Sequence, residues 1–151
     1  MRRPARVPAV MAAAITAAAV FAAPAAAADG ARVFAEVCAA CHQDGGVGAP
    51  GLAPPLVDAP LWQRLGDAAP AYVAGVLLGG LSGTIEVAGE RYIGLVMPPQ
   101  DALDDASLAA VATYVLRDLN GVAVSVDPGV IAGLRGAIPS HGALRTMRKG
   151  G

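Results

Sequence analysis

Two cysteines and a histidine occupy three of the five positions in the segment CAACH, at 38–42. Cys38 and Cys41 are the only cysteines among 151 residues, and His42 is one of two histidines. Any chemistry that requires cysteine must therefore be built on this segment. Asp29 is a suitable N-cap for a helix over 29–42, which would place the two thiols on one face about one turn apart.

Three kinds of site use cysteines at this spacing. A zinc site needs four ligands, and only His141 would remain as a further soft ligand. A thioredoxin-type pair follows a strand and opens a helix, where the dipole lowers the thiol pKa, whereas this pair ends a predicted helix. The pattern C-x-x-C-H is also that of covalent haem attachment, with two thioethers and an axial imidazole. The motif favours haem and leaves zinc binding and thiol redox chemistry as alternatives.

The rest of the chain predicts helices separated by long loops. Helical spacing of apolar residues, aspartate N-caps and terminal glycines predict helices near 69–78, within 103–121 and within 126–136. Glycine and proline dominate 43–60, which predicts no regular element, and a short hairpin is predicted around 85–87. Residues beyond Pro139 are expected to form a solvated, flexible tail. The predicted fold class is all-α.

Large apolar side chains are scarce in this chain. The sequence contains 19 glycines and 12 prolines. Beyond residue 28 its aromatic residues are Phe34, Trp62, Tyr72, Tyr92 and Tyr114. Small domains with a thin core usually need a disulfide, a metal or another staple. A prosthetic group enclosed by the loops would supply the missing core.

The first 28 residues have the pattern of a secretory signal peptide. Three arginines precede an apolar run at 8–21, and small residues follow up to Ala28. An uncleaved membrane anchor is the alternative, because about 20 uncharged residues can span a bilayer. We expect cleavage, export to the periplasm and no transmembrane span afterwards, with membrane association only if the signal is retained.

The exported chain would consist of one domain at 29–121 and a C-terminal extension at 122–151, with a short helix and the flexible tail. Loss of the three N-terminal arginines leaves 8 basic residues against 12 acidic ones, a formal charge of −4. A nucleic-acid-binding protein would need a basic stripe, and only a short run near the C-terminus remains. The composition therefore argues against nucleic acid as a partner.

A haem bound at His42 needs a second axial ligand if its iron is six-coordinate. The candidates are Met97, Met147 and His141. Met97 precedes two prolines, which restrict the backbone and prevent a helix there. Met147 and His141 lie in the predicted tail. Met97 is therefore the expected ligand.

The order of these segments resembles the class I c-type cytochromes, over about 29–119. The matching segments are GARVFAEV before CAACH, then APPL, then GERYIGLVMPP, then LDDASLAAVATYV. The resemblance implies the cytochrome c fold, with helices and long Gly/Pro loops wrapped around one haem c. It also implies thioethers at Cys38 and Cys41, and axial ligation of iron by His42 and Met97.

Further residues take roles from the resemblance. The Pro54 carbonyl would accept a hydrogen bond from His42 Nδ1–H. Gly30 and Phe34 would lie where the first helix crosses the C-terminal helix of the domain, against Tyr114. Contacts with the haem edge or propionates are expected from four residues: Trp62, Arg64, Arg91 and Tyr92.

The resemblance implies a one-electron carrier and not an enzyme, because two axial ligands leave no open coordination site. His/Met ligation favours Fe(II) relative to bis-His ligation. The expected partners are periplasmic or membrane redox proteins such as a dehydrogenase, a terminal oxidase or another cytochrome. The alternative is a haem enzyme or gas sensor in which Met97 can be displaced.

Overall fold

The computed structural model describes residues 28–150. The signal peptide predicted at 1–28 therefore lies, except for its last residue, outside the described residues. The α-helices of the described chain are α1 Gly30–Val33, α2 Ala39–His42, α3 Ala59–Leu65, α4 Ala69–Gly79, α5 Asp105–Thr113, α6 Pro128–Arg135 and α7 His141–Lys149. No helix in this part of the chain is long and apolar enough to cross a bilayer.

The chain is helical from Gly30 to His42, which confirms the helix predicted at 29–42. The Asp29 carboxylate caps the start by accepting the amide hydrogens of Ala31 and Arg32, at 3.0 and 3.3 Å. A π-helical stretch, Phe34–Cys38, joins α1 to α2. A second stretch of this kind, Tyr114–Asp118, extends α5. Both extended helices carry residues of the site at or near these π-helical turns.

The two extended helices cross at Gly30. A Cβ at this position would overlap the carbonyl oxygen of Ala110 on α5, so the close approach requires glycine. One turn further along, the rings of Phe34 and Tyr114 pack with centroids 5.3 Å apart. The crossing expected from Gly30, Phe34 and Tyr114 is confirmed.

Helix α3 was not predicted, because it begins inside a proline-rich loop. Pro60 is compatible with the first turn of a helix, where an N–H has no intrahelical partner. The carboxylate of Asp58 caps this turn by accepting the N–H of Leu61 at 3.3 Å. Leu61 and Trp62 are buried. Helix α4 follows as predicted and ends before Gly80, whose φ is 71°.

Four short strands form two antiparallel pairs in the described chain: β1 Leu81–Ser82, β2 Ile85–Val87, β3 Glu90–Tyr92 and β4 Val96–Met97. The β2–β3 pair is the hairpin predicted around 85–87. The β1–β4 pair places Leu81 opposite Met97. These strands are minor, and the fold is mostly helical with long loops, as predicted.

The C-terminal segment is part of the folded core. Ile131 of α6 and Leu144 of α7 are both fully buried, and they belong to the same hydrophobic cluster as Leu108 and Leu116. Ser140 caps α7 by accepting the N–H of Ala143 at 3.2 Å. The prediction of a flexible tail beyond Pro139 is therefore wrong: one apolar face within a polar segment is enough to dock it.

Candidate haem site

A cleft lined mostly by apolar side chains lies between the helical core and the strands. Its open space is about 1340 Å³, including the mouth. Its walls are drawn from the first helix, from α3, α4, α5 and α7, and from the strands, so a ligand bound there would contact most elements of the fold. Seven of the nine site residues predicted from the sequence line it: Cys38, Cys41, His42, Pro54, Trp62, Tyr92 and Met97.

The two cysteines lie on consecutive turns at one wall of the cleft. Both are free thiols, Cys38 half-buried and Cys41 exposed. Burial, with a smaller contribution from Cys41, raises the pKa of the Cys38 thiol to about 11. A thioredoxin-type pair needs the opposite, a thiolate of low pKa. The raised pKa of Cys38 therefore argues against thiol redox chemistry.

The zinc alternative also lacks support in the described residues. No three Cys, His, Asp or Glu side chains of residues 28–150 converge on one point. His141 does not line the cleft; its Nε2 is 3.0 Å from the Gly79 carbonyl, and its Nδ1 is bonded to the Ser82 hydroxyl. The fourth ligand that a zinc site would need is thus held elsewhere.

His42 is buried, and its orientation is fixed by Pro54. The distance from His42 Nδ1 to the Pro54 carbonyl oxygen is 3.0 Å. A carbonyl only accepts, so Nδ1 carries the hydrogen and Nε2 has a free lone pair. Burial lowers the pKa of the imidazole, against a smaller opposing effect of the Pro54 bond. A neutral ring with a free Nε2 is the form that binds a metal.

Met97 is the one candidate for the second axial position that lines the cleft, since Met147 and His141 do not. Strand β4 holds Met97 against Leu81. Gly80 packs closely on the backbone of Met97, and a Cβ added to Gly80 would overlap the Met97 carbonyl oxygen. The backbone of Met97 is therefore positioned by its contacts with Gly80 and Leu81.

Trp62 and Tyr92 line the cleft, but their polar atoms are used within the protein. Trp62 Nε1 donates to the Leu56 carbonyl at 3.1 Å. The Tyr92 hydroxyl donates to Glu90 at 3.3 Å. The aromatic faces of both residues remain available as apolar wall.

Neither arginine expected to contact the propionates lines the cleft. Arg64 is exposed, and its Nε donates to the carbonyl of Arg148 at 3.4 Å. Arg91 is exposed on β3, opposite Glu86. The structure therefore does not bring these two arginines to the cleft: α3 directs Arg64 toward α7, and Arg91 lies on the solvent side of its hairpin.

Arg148 of α7 lines the cleft instead, near Asp58 and Tyr72. Sequence reasoning missed all three residues. The available signal was the spacing of Leu144, Met147 and Arg148 after the N-cap Ser140, which is that of one helix face.

A large apolar cleft with C-x-x-C-H at one wall and a methionine at another is the arrangement of a c-type cytochrome. Nε2 of His42 and the sulfur of Met97 are donors suited to haem iron, and the thiols of Cys38 and Cys41 can attach the porphyrin covalently. The residues present therefore fit haem c.

Comparison with known proteins agrees. A family model described as cytochrome c oxidase, cbb3-type, subunit III, matches residues 25–115. Two proteins named cytochrome c-552, one from Thermus thermophilus and one from a strain of that species, are each 42% identical over 88 residues. The match covers 58% of this chain, and 66% and 58% of those relatives, less than two thirds of their length. The chain belongs to the class I c-type cytochromes, the family that binds haem c covalently.

Proposed function

We propose that this chain is a one-electron carrier, with haem c attached through Cys38 and Cys41 and with His42 and Met97 as the axial ligands. The observation that carries the proposal is that His42, with a free Nε2, and Met97 line the same cleft. The bound group would supply reversible one-electron reduction of iron. Because His42 and Met97 would both hold the iron, transfer would be outer-sphere and would break no bond.

The protein contributes orientation and the exclusion of water. The Nδ1–H bond to Pro54 fixes the His42 ring and strengthens it as a donor. Pairing of β1 with β4 fixes the backbone of Met97. Buried Val111 and Leu77 belong to the apolar wall, which lowers the local dielectric around any charge change.

The rim of the cleft supports exchange with protein partners. Leu52 and Val96 line the cleft and are nevertheless 50% and 67% exposed. An apolar rim suits the small, short-lived interfaces of redox proteins. The partners proposed are a dehydrogenase, a terminal oxidase or another cytochrome of a respiratory chain.

We further propose that residues 1–28 are removed during export and that the protein acts in the periplasm. Asp29, the N-cap of α1, would then be the first residue. Mass spectrometry of the protein from a periplasmic fraction tests this. A mass that includes residues 1–28 would favour the membrane-anchored form.

The ligand assignment is tested by absorption spectroscopy of the haem-loaded chain. We expect a low-spin ferric spectrum with the methionine–iron charge-transfer band, lost in Met97→Ala and kept in the control Met147→Ala. Haem should stay with the polypeptide after acid–acetone extraction, and only Cys38→Ala combined with Cys41→Ala should release it. A high-spin ferric spectrum, or ready binding of carbon monoxide to the unmodified ferrous protein, would favour the haem enzyme or gas sensor.

A further inference from the structure

Arg148 places a positive charge at the wall of an otherwise apolar cleft. Its side chain is only 11% exposed. Among the residues of the described chain that line the cleft, it is the one lysine or arginine. A buried charge is costly unless it is paired, so this side chain needs a specific partner.

The contacts within the protein leave the guanidinium only partly satisfied. Arg148 Nη2 is 3.0 Å from the Glu86 carbonyl and 3.4 Å from Asp58 Oδ2. Nε is 3.4 Å from the same Glu86 carbonyl, and Nη1 is 3.3 Å from the Tyr72 hydroxyl. Charge-assisted hydrogen bonds measure about 2.7–2.9 Å, so the contact with Asp58 is loose. Arginine has five N–H donors arranged as a fork. Donor capacity is therefore left for a second carboxylate.

Other polar side chains that line the cleft in the described part of the chain already have partners; Gln100 Nε2, for example, donates to the Pro98 carbonyl at 3.0 Å. Trp62 Nε1 is bonded to the Leu56 carbonyl. The Tyr92 hydroxyl is bonded to Glu90. The Tyr72 hydroxyl accepts from Arg148, so its own hydrogen can be donated. Arg148 and Tyr72 thus form a pair of donors beside the carboxylate of Asp58.

We propose that Arg148 and Tyr72 bind a propionate carboxylate of the haem and that Asp58 positions the guanidinium for it. The proposal rests on the proposed function in that it needs haem in this cleft, but it does not depend on which residue is the second axial ligand. In this proposal α7 forms one wall of the haem site, and the CAACH segment forms another.

The test compares Arg148→Gln with Lys149→Gln in the haem-loaded protein. Both changes remove one positive charge from α7, and Lys149 is exposed and does not line the cleft. Loss of Arg148 leaves the propionate charge uncompensated, which favours Fe(III). We expect the ferric–ferrous equilibrium of Arg148→Gln to shift toward Fe(III) by about tenfold at neutral pH, the order of effect of one partly buried charge, and that of Lys149→Gln to stay close to the unmodified protein.

The pH dependence of the midpoint potential gives a second readout. An arginine next to a carboxylate lowers its pKa by about 1–3 units. Without Arg148 the pKa of the propionate rises, so the pH range in which reduction takes up a proton should move upward by a similar amount. Arg148→Lys keeps the charge without the fork and should restore the potential in large part.

Asp58→Asn covers the case in which Arg148→Gln does not bind haem. Asparagine can still cap α3, and it removes a negative charge that competes for Arg148. The potential should then rise and the proton-linked range should move to lower pH, opposite to the effect of Arg148→Gln. If Asp58→Asn leaves that range unchanged, or if Arg148→Gln behaves as Lys149→Gln does, Arg148 has only a structural role and the proposal is overturned. If the unmodified protein lacks covalent, low-spin haem, the proposed function fails instead, before any variant is compared.

Discussion

Gly30 on α1 lies directly against the carbonyl group of Ala110 on α5, with no room for a side chain between the two helices. Gly30→Ala should therefore push these helices apart and lower the free energy of unfolding by about 1–3 kcal/mol, the usual cost of overpacking. Denaturant unfolding of the haem-loaded protein measures this. Gly133→Ala is the matched control, because open space surrounds Gly133 in α6 and alanine should stabilise that helix slightly. Equal effects of the two changes would contradict the close crossing.

The docking of α7 predicts a large effect of Leu144→Ala. Leu144 is fully buried, so the change should lower the free energy of unfolding by about 2–5 kcal/mol. Thr146→Ala, on the exposed face of the same helix, should have little effect. A small cost for Leu144→Ala would return the segment to the flexible tail that the sequence suggested. Thermal unfolding followed by circular dichroism distinguishes the outcomes.

His141 is predicted to act on Met97 through the backbone. Its ring bonds the Gly79 carbonyl and the Ser82 hydroxyl, and Leu81 between them pairs with Met97. In His141→Ala the methionine–iron band should disappear at a lower temperature, ahead of global unfolding. Lys149→Ala is the control on the same helix. Loss of the band and of helical signal at one temperature in both variants would show that His141 does not hold the methionine strand.

The N-cap of α5 predicts a pH-dependent contribution to stability. Asp104 accepts the N–H of Ser107 at 2.7 Å, and this bond is the main cause of the lowered pKa of its carboxyl. A carboxyl whose pKa is lowered by folding stabilises the folded state at pH values above its unfolded-state pKa. That stabilisation is lost as the pH falls through the folded-state pKa. Asp104→Ala should therefore be less stable than the unmodified protein at neutral pH, with a difference that shrinks in acid. Asp104→Ser, which keeps a cap, should lose less stability at neutral pH than Asp104→Ala. If the stability difference between Asp104→Ala and the unmodified protein stays the same in acid, the Asp104 carboxylate does not make this contribution.

Much of the helical frame could be predicted because its signals are local. Aspartate caps precede α1, α5 and α6, and glycine follows the ends of several helices, so a few neighbouring residues determine each boundary. The CAACH segment and the proline-framed Met97 are local signals as well. That CAACH and Met97 should meet at one cleft is predicted by the resemblance to the class I c-type cytochromes, in which matching segments occur in the same order.

The residues that were missed depend on contacts between distant positions. Asp58 and Arg148 are 90 positions apart and meet only after folding. Asn120 similarly ties the loop near α3 to the end of the α5 extension, through bonds to Asp58 and Leu56. Nothing near Arg64 or Arg91 in sequence indicates that they face solvent. Charge and residue type indicate that an arginine could pair with a propionate. Only tertiary packing determines which arginine lines the cleft.

The position of Arg148 has a consequence for assembly. Cys38 and Arg148 line the same cleft, yet one lies near the start of the described chain and the other near its end. Helix α7 lies far along the chain from the CAACH segment, so the cleft has all its walls only once this helix has docked. A truncated variant that lacks α7 would keep CAACH and Met97 but would leave one side of the cleft open to water.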